Sequence, residues 1–465
     1  MNIDRWISNR FLLIPLLALP LLAACTHNAS YRTDTELCTS NDEQGIIEQC
    51  ASNSVQKFTG GGGNDGGYTL GFIEFDDQGQ IQNYQQVDAL HELMQDITSR
   101  EDVIVLVFVH GWKHNAHAGP EPGEEDNNIT RFRDVLSSVS RTEALQNPDA
   151  PREVVGVYLG WRGLSVTLTG IKELSFWERK NTAHKVGGGA ITEALLTLDN
   201  LVAARNSGQG TDKPKSRLIV IGHSFGGAAV YSAVNQVLLE RYMKSDCIGN
   251  NGCSVRGFGD LVVLMNPAFE AMRFSALRNA SDRADSFAKG QLPVLAILTS
   301  EADYATKYAF PAGRVFSTFF EQERPDRDQE AKNRTAVGHY APYQTHRLSA
   351  LPTKPGEPKQ ARALADQLQT FLLFAKQWDE QTQTDLELPD IGVRFTKTGD
   401  TDRFNPYLSI YVDGALIPDH NEIYDPRVTE LLRQIIMLSI QEDDAKVRAM
   451  QRSSMTRSLE KLRAQ

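Results

Sequence analysis

The chemistry in this chain starts from one serine set among glycines, in Gly222-His223-Ser224-Phe225-Gly226-Gly227. A serine hydroxyl is a weak nucleophile until a neighbouring imidazole takes its proton. That imidazole needs a carboxylate on its other nitrogen to fix the tautomer and stabilise the imidazolium. The developing oxyanion needs N–H donors already in place. Ser224 therefore counts as a nucleophile only if the rest of the chain supplies a histidine, an acid and donors. The local stretch suits the role. Leu218–Ile221 is an apolar run of strand length, and Ala228-Ala229-Val230-Tyr231 suits a helix packed on a sheet. A strand that turns into a helix so sharply needs Gly222 and Gly226, because side chains would clash there. A lone G-x-S-x-G still arises by chance.

The chain holds 10 histidines. His27 lies near the N-terminus and His91 on an early helical stretch. His110 and His223 belong to the HG turn and to the serine turn, where they read as neighbours that shape the backbone. Only His339, His346 and His420 follow the acidic strand end "LPVLAILTSEAD". His339 and His346 have no strand immediately before them. "PYLSIYVDGALIPDHNEIYDPRV" places His420 in a loop after a strand and before the last strongly apolar helix, within reach of a serine on the same sheet edge. For the acid, Asp303 and Glu301 both sit at a strand end, and Glu270 follows the preceding strand.

These residues need a frame. "DVIVLVFVHGW", "EVVGVYLGW", "RLIVIG", "GDLVVLMNPA", "LPVLAILTSEAD" and "YLSIYVDGALIPDH" read as strands. "QVDALHELMQDITSR", "AITEALLTLDNLVAAR" and "RVTELLRQIIMLSI" read as helices. Their alternation predicts an α/β fold with a mostly parallel central sheet flanked by helices. "YTLGFIEFDDQGQIQN" predicts a hairpin around Asp77-Gln78-Gly79. Two stretches, about 162–189 and 304–389, interrupt the alternation as insertions. Trp161, Phe176 and Trp177 accompany the first; Tyr308, Phe310, Phe316, Phe319 and Phe320 lie in the second. Such aromatics form a lid or acyl pocket, or pack as a subdomain core. Residues 441–465 read as a charged, solvated helical tail.

Taken in order, "VIVLVFVHGW", "IGHSFGG" and the segments ending in Asp303 and His420 resemble the α/β-hydrolase superfamily over residues 68–440. Bacterial serine esterases and lipases are the nearest group. The resemblance implies the order Ser…Asp…His for the triad, favours Asp303 over Glu301 and Glu270, and implies an oxyanion hole from the backbone N–H groups of Phe225 and Trp112. It implies cleavage of carboxylic esters through an acyl-enzyme, with no cofactor. Thioesterase, amidase and acyltransferase chemistry use the same triad, and an inactive envelope lipoprotein is the non-enzymatic alternative.

His110, His114 and His117 in "HGWKHNAH" offer a rival metal cluster, but a turn after a strand does not place them on one helix face. "EPGEEDNN" lacks the full calcium-loop pattern and reads as a solvated acidic loop.

The N-terminus reads as an export signal. Arg5 and Arg10 precede Phe11–Ala24, 14 residues too few to span a bilayer comfortably. Leu22-Ala23-Ala24-Cys25 resembles a bacterial lipoprotein box, which implies removal of residues 1–24 and lipidation of Cys25. Thr26 after it favours the outer membrane. The polar residues 25–67 read as a flexible tether. Cys38, Cys50, Cys247 and Cys253 remain, and an oxidising compartment favours disulfides Cys38–Cys50 and Cys247–Cys253 on spacing. A net charge of −11 argues against an electrostatic nucleic-acid partner. The expected partners are an ester substrate and a membrane.

Overall fold

The computed structural model describes residues 29–60, 66–117, 125–147, 150–163, 175–207, 215–245, 247–248, 252–317, 326–352, 364–380, 385–441 and 445–464. Twelve strands form one sheet: β1 (Asp34–Ser40), β2 (Asn53–Phe58), β3 (Tyr68–Phe75), β4 (Val103–Val109), β5 (Glu153–Trp161), β6 (Arg217–His223), β7 (Leu261–Met265), β8 (Leu295–Ser300), β9 (His346–Ala350), β10 (Asp385–Leu388), β11 (Val393–Lys397) and β12 (Tyr407–Val412). Their spatial order is β1-β2-β3-β5-β4-β6-β7-β8-β12-β9-β11-β10. From β3 to β9 in this order every neighbouring pair is parallel. The fold is therefore α/β, with a mostly parallel sheet covered by helices on both faces.

Continuous apolar runs make the central strands. All residues of β4, β6 and β7 are buried, as expected for strands covered on both sides. One apolar layer joins Val105, Val107, Val220 and Leu264 to the helices Tyr84–Arg100, Ala190–Ser207 and Phe225–Lys244. The other joins Leu106, Phe108, Ile219 and Ile221 to Asn127–Gln146, Leu364–Glu380 and Pro426–Ser439. Register sets the site. Gly222 of β6 lies between Val109 of β4 and Leu264 of β7, so the turns after these strands meet at one edge.

Several expectations need correction. Residues 29–58 are not a loose tether. β1 and β2 extend the sheet, with β2 antiparallel to β3. Arg32 is fully buried: its guanidinium binds Glu125 at 3.1 Å and the Ala51 carbonyl at 2.7 Å, and lies over the Phe72 ring. Polar composition hid this segment because buried polar side chains such as Arg32 and Gln56 are held by hydrogen bonds beside only a few core apolar residues, among them Ile46 and Phe58. The hairpin around Gly79 shrinks to a single bridge between Phe75 and Ile81, since Asn83 already caps the helix that follows.

The long insertion is not a separate unit either; it supplies β9 and β10, which join the sheet beyond β12. The C-terminal helix Ala445–Ala464 is not wholly solvated, because Met455 and Leu459 are buried in the second apolar layer.

The pairs Cys38–Cys50 and Cys247–Cys253 are disulfides, with Cα atoms 5.6 and 5.3 Å apart. Among the described residues no helix is long and apolar enough to cross a membrane. Residues 1–24, Cys25, Phe319 and Phe320, with the side chains of Phe176, Trp177 and Phe316, lie outside the description.

Candidate active site

Ser224 occupies the turn between β6 and the helix Phe225–Lys244 with φ 55° and ψ −119°, a conformation that non-glycine residues rarely adopt. Three backbone bonds hold it there. Its N–H donates to Met265 at 2.9 Å, and its carbonyl accepts from Ala228 and Ala268 at 3.2 and 3.1 Å. Close approach explains two glycines. A Cβ on Gly226 would lie 2.1 Å from the Val109 carbonyl, and one on Gly111 would lie 2.7 Å from the Ser224 Cβ. The chain after β4 thus passes directly against the serine.

Ser224 Oγ lies 2.6 Å from His420 Nε2, and His420 Nδ1 lies 2.8 Å from Asp303 Oδ2. His420 is placed by the loop after β12 and Asp303 by the turn after β8. All three side chains are buried. The partners define the roles: His420 donates from Nδ1 to the carboxylate and accepts the serine proton at Nε2. Asp303 also accepts from the Thr306 N–H at 3.1 Å and from the Thr306 hydroxyl. Burial pushes the Asp303 carboxyl up, but His420 and Thr306 outweigh it and hold the group below its ordinary value.

Three residues complete the frame without having been singled out for it. Asn266, at the end of β7 with φ 43°, donates from Nδ2 to the His420 carbonyl at 3.0 Å. Its Oδ1 accepts from the Ser300 N–H at 2.9 Å, so one amide ties the histidine loop to β8. His223 Nε2 donates to the same His420 carbonyl at 3.1 Å. Burial, then the neighbouring His420, lowers His223 to about 3, which keeps it neutral. His339 reaches the network from the long insertion: its Nε2 lies 3.0 Å from Thr306 Oγ1. Because that hydroxyl donates to Asp303, His339 donates to Thr306. Only the asparagine carried an advance signal, since Asn tolerates positive φ better than most residues.

The other sequence-predicted residues take different places. Phe225 is the first helical residue after the serine, at the end where a helix presents N–H groups. Trp112 follows Gly111 beside Ser224, with Lys113 Nζ 4.2 Å from its ring centroid. Glu301 binds Arg347 at 2.8 Å and accepts from the Gly414 N–H at 3.2 Å. Glu270 is buried against Lys180, Arg273 and Arg314. Burial opposes its ionisation, yet Lys180 and Arg314 bring it down to about 2. Both glutamates are engaged elsewhere, and among the described residues Asp303 is the carboxylate that binds the His420 ring. His346 stacks on Phe395 in β11, outside the triad.

His110, His114 and His117 do not converge. His110 donates from Nδ1 to the Gly111 carbonyl at 3.0 Å and accepts from the Trp161 N–H at 2.9 Å. Its ring stacks on Trp161, and burial lowers it to about 4. His114 Nδ1 binds Asp126 at 3.0 Å, while His117 meets the Tyr31 ring edge-on. Among the described residues no three His, Cys, Asp or Glu side chains group as a metal ion requires. Of the aromatics, Phe310 is core, whereas Tyr304 and Tyr308 are exposed.

No family model matches the chain, and neither the curated proteins nor the solved structures yield a match.

Proposed function

We propose that this chain is a serine hydrolase of the α/β-hydrolase type that cleaves carboxylic esters through an acyl-enzyme. The observation that carries the reading is the continuous Ser224–His420–Asp303 chain at 2.6 and 2.8 Å, on turns that follow β6, β12 and β8 at one sheet edge. Ligand sites of open α/β sheets lie at that edge.

In the proposed cycle Ser224 Oγ attacks the ester carbonyl while His420 Nε2 takes its proton. The tetrahedral oxyanion is met by the N–H groups of Phe225 and Trp112. On collapse, His420 returns the proton to the departing alcohol and leaves Ser224 acylated. Water then attacks the acyl carbon, giving its proton to His420 and later releasing the acid with Ser224 restored. Asp303 stays ionised throughout and stabilises the imidazolium. Asn266 and His223 fix the height of the histidine loop. The lipoprotein reading of Cys25 belongs to the same proposal: an envelope enzyme held at a membrane by its N-terminus.

Labelling by a fluorophosphonate probe tests the enzyme reading. Wild-type protein should be labelled and Ser224→Ala should not. Unlabelled wild-type protein with an intact fold would favour the inactive lipoprotein instead. Turnover of p-nitrophenyl esters against the matching thioesters and anilides then separates ester cleavage from the other reactions of this triad.

A further inference from the structure

The N-terminal segment emerges at the catalytic edge. The N–H groups of Tyr31 and Arg32 donate to the Glu74 carboxylate at 2.9–3.0 Å, next to the C-terminal end of β3. Ala29 borders Phe75, Trp161 and Asn115, at the ends of β3 and β5 and in the loop after β4. Ser224 follows β6 in the same direction. Three strand steps separate β3 from β6, roughly 14 Å at the usual spacing of about 4.8 Å.

Cys25 lies four residues before Ala29, and a fully extended chain of that length reaches at most roughly 14 Å. An anchor on Cys25 therefore leaves the body little freedom to turn its catalytic edge away from the bilayer.

The side chains on that edge point the same way. Tyr84 follows β3 and is 56% exposed; past β8, Tyr304, Tyr308 and Val315 are 68, 56 and 45% exposed. The Tyr304 and Tyr308 rings lie 5.3 Å apart. Tyrosine favours the membrane interface, where its ring is apolar and its hydroxyl stays wet. Leu37, Met243, Ile248, Leu373 and Met450 are exposed elsewhere on the chain, and scattered apolar residues of this kind are ordinary for a protein surface.

We propose that the catalytic edge is the face laid against the bilayer that carries the Cys25 anchor, so that Ser224 receives a lipid ester directly from the membrane. This deepens the proposed function and rests on its anchor and hydrolase readings. The occupant of the face is phospholipid, held there by the covalent anchor with the tyrosines as interfacial contacts. A single acyl chain holds only marginally, so contacts on this face add to retention.

The test uses the full, lipidated chain on phosphatidylethanolamine–phosphatidylglycerol vesicles. Nitroxide labels on Tyr84→Cys, Tyr308→Cys and, as a control at the opposite edge, Glu101→Cys report collision with oxygen or with an aqueous nickel chelate. Labels at 84 and 308 should be shielded from nickel, and the label at 101 should not. A second variant inserts about 30 Gly/Ser residues between positions 28 and 29, with an r.m.s. span of roughly 30 Å. It should lower turnover of a vesicle-embedded diacyl ester at least tenfold and leave turnover of soluble p-nitrophenyl butyrate unchanged. Water-exposed labels at 84 and 308 on vesicle-bound, palmitate-labelled protein would overturn the orientation, as would a long linker without effect. Absence of incorporated palmitate would remove the anchor and the proposal with it. Correctly shielded labels without turnover of either ester would sink the hydrolase reading alone.

Discussion

Asn266 is the residue whose loss separates the frame of the site from its chemistry. Asn266→Ala removes the 3.0 Å bond to the His420 carbonyl and the 2.9 Å bond from the Ser300 N–H. Both lie in the buried interior. A buried donor left unpaired costs about 1–3 kcal/mol, and the lost bond to the carbonyl, which His223 still serves, about 0.5–1.5 kcal/mol. Alanine at φ 43° keeps the Cβ strain of about 1–2 kcal/mol that asparagine already carries, whereas glycine relieves it. Asn266→Ala should therefore lower stability by about 1.5–4.5 kcal/mol, the hydrogen-bond part, and Asn266→Gly by less. In kinetics the histidine loop keeps one of its two clamps. A loosening worth about 0.5–1.5 kcal/mol lowers kcat roughly 2- to 13-fold. Urea unfolding followed by circular dichroism and p-nitrophenyl butyrate turnover read the two effects. An Ala variant within about 0.5 kcal/mol of wild type, or a Gly variant less stable than the Ala variant, would refute the reasoning.

The three histidines after Asp303 should behave differently. His420→Ala should keep the fold and lose roughly 10³-fold or more in kcat, as removal of a triad member does, while His346→Ala, on the flank of the sheet, should leave kcat near wild type; steady-state kinetics at pH 8 decides. Thr306→Val retains the backbone N–H bond to Asp303 but removes the hydroxyl between it and His339, and should lower kcat with little change in KM; His339→Ala should do so more weakly, and His339→Gln should restore part of the loss by donating to Thr306. Equal effects on kcat and stability across that series would make His339 merely structural. Stability should fall with acid below the ordinary histidine range. His110, His223 and His346 are lowered by burial to about 4, 3 and 3, so between pH 6.5 and 4 the unfolded chain takes up protons that the folded chain refuses. Each such proton weakens the fold by about 1.4 kcal/mol per pH unit, and a urea midpoint unchanged from pH 7.5 to pH 5 would contradict this. Asp303 acts in the same direction at lower pH, since its depressed carboxyl stabilises the fold above the carboxylate range and loses that contribution as it protonates.

The central strands were legible because β4, β6, β7 and β8 are runs of apolar residues long enough to be buried on both faces. Ser224, Asp303 and His420 were legible for a related reason. Each follows such a strand, and a parallel sheet collects its strand ends at one edge whatever lies between them in sequence. What stayed hidden depends on polar burial. β1, β2 and Arg32 carry Gln56, Ser54 and a guanidinium inside the protein, and composition reads such residues as solvent-exposed. β9 and β10 are short, and their few apolar residues alternate with polar or charged ones, so they resembled loop within the long insertion. His223 read as a neighbour of the serine turn, and its ring instead bonds the His420 carbonyl across 197 positions. His339 looked misplaced as a triad histidine because no strand precedes it, and it reaches Asp303 only through Thr306. Such second-tier contacts arise from where loops fold back, which local pattern does not encode.

The most direct test of the hydrolase reading is the covalent intermediate itself. Protein mixed with a slowly deacylating p-nitrophenyl ester and quenched in acid should gain the mass of one acyl group, carried by the peptide that contains Ser224. The burst of p-nitrophenol should equal one equivalent of enzyme. Ser224→Ala should show neither burst nor adduct, and Asp303→Asn should acylate far more slowly. An adduct on any other residue, or full turnover by Ser224→Ala, would contradict the assignment.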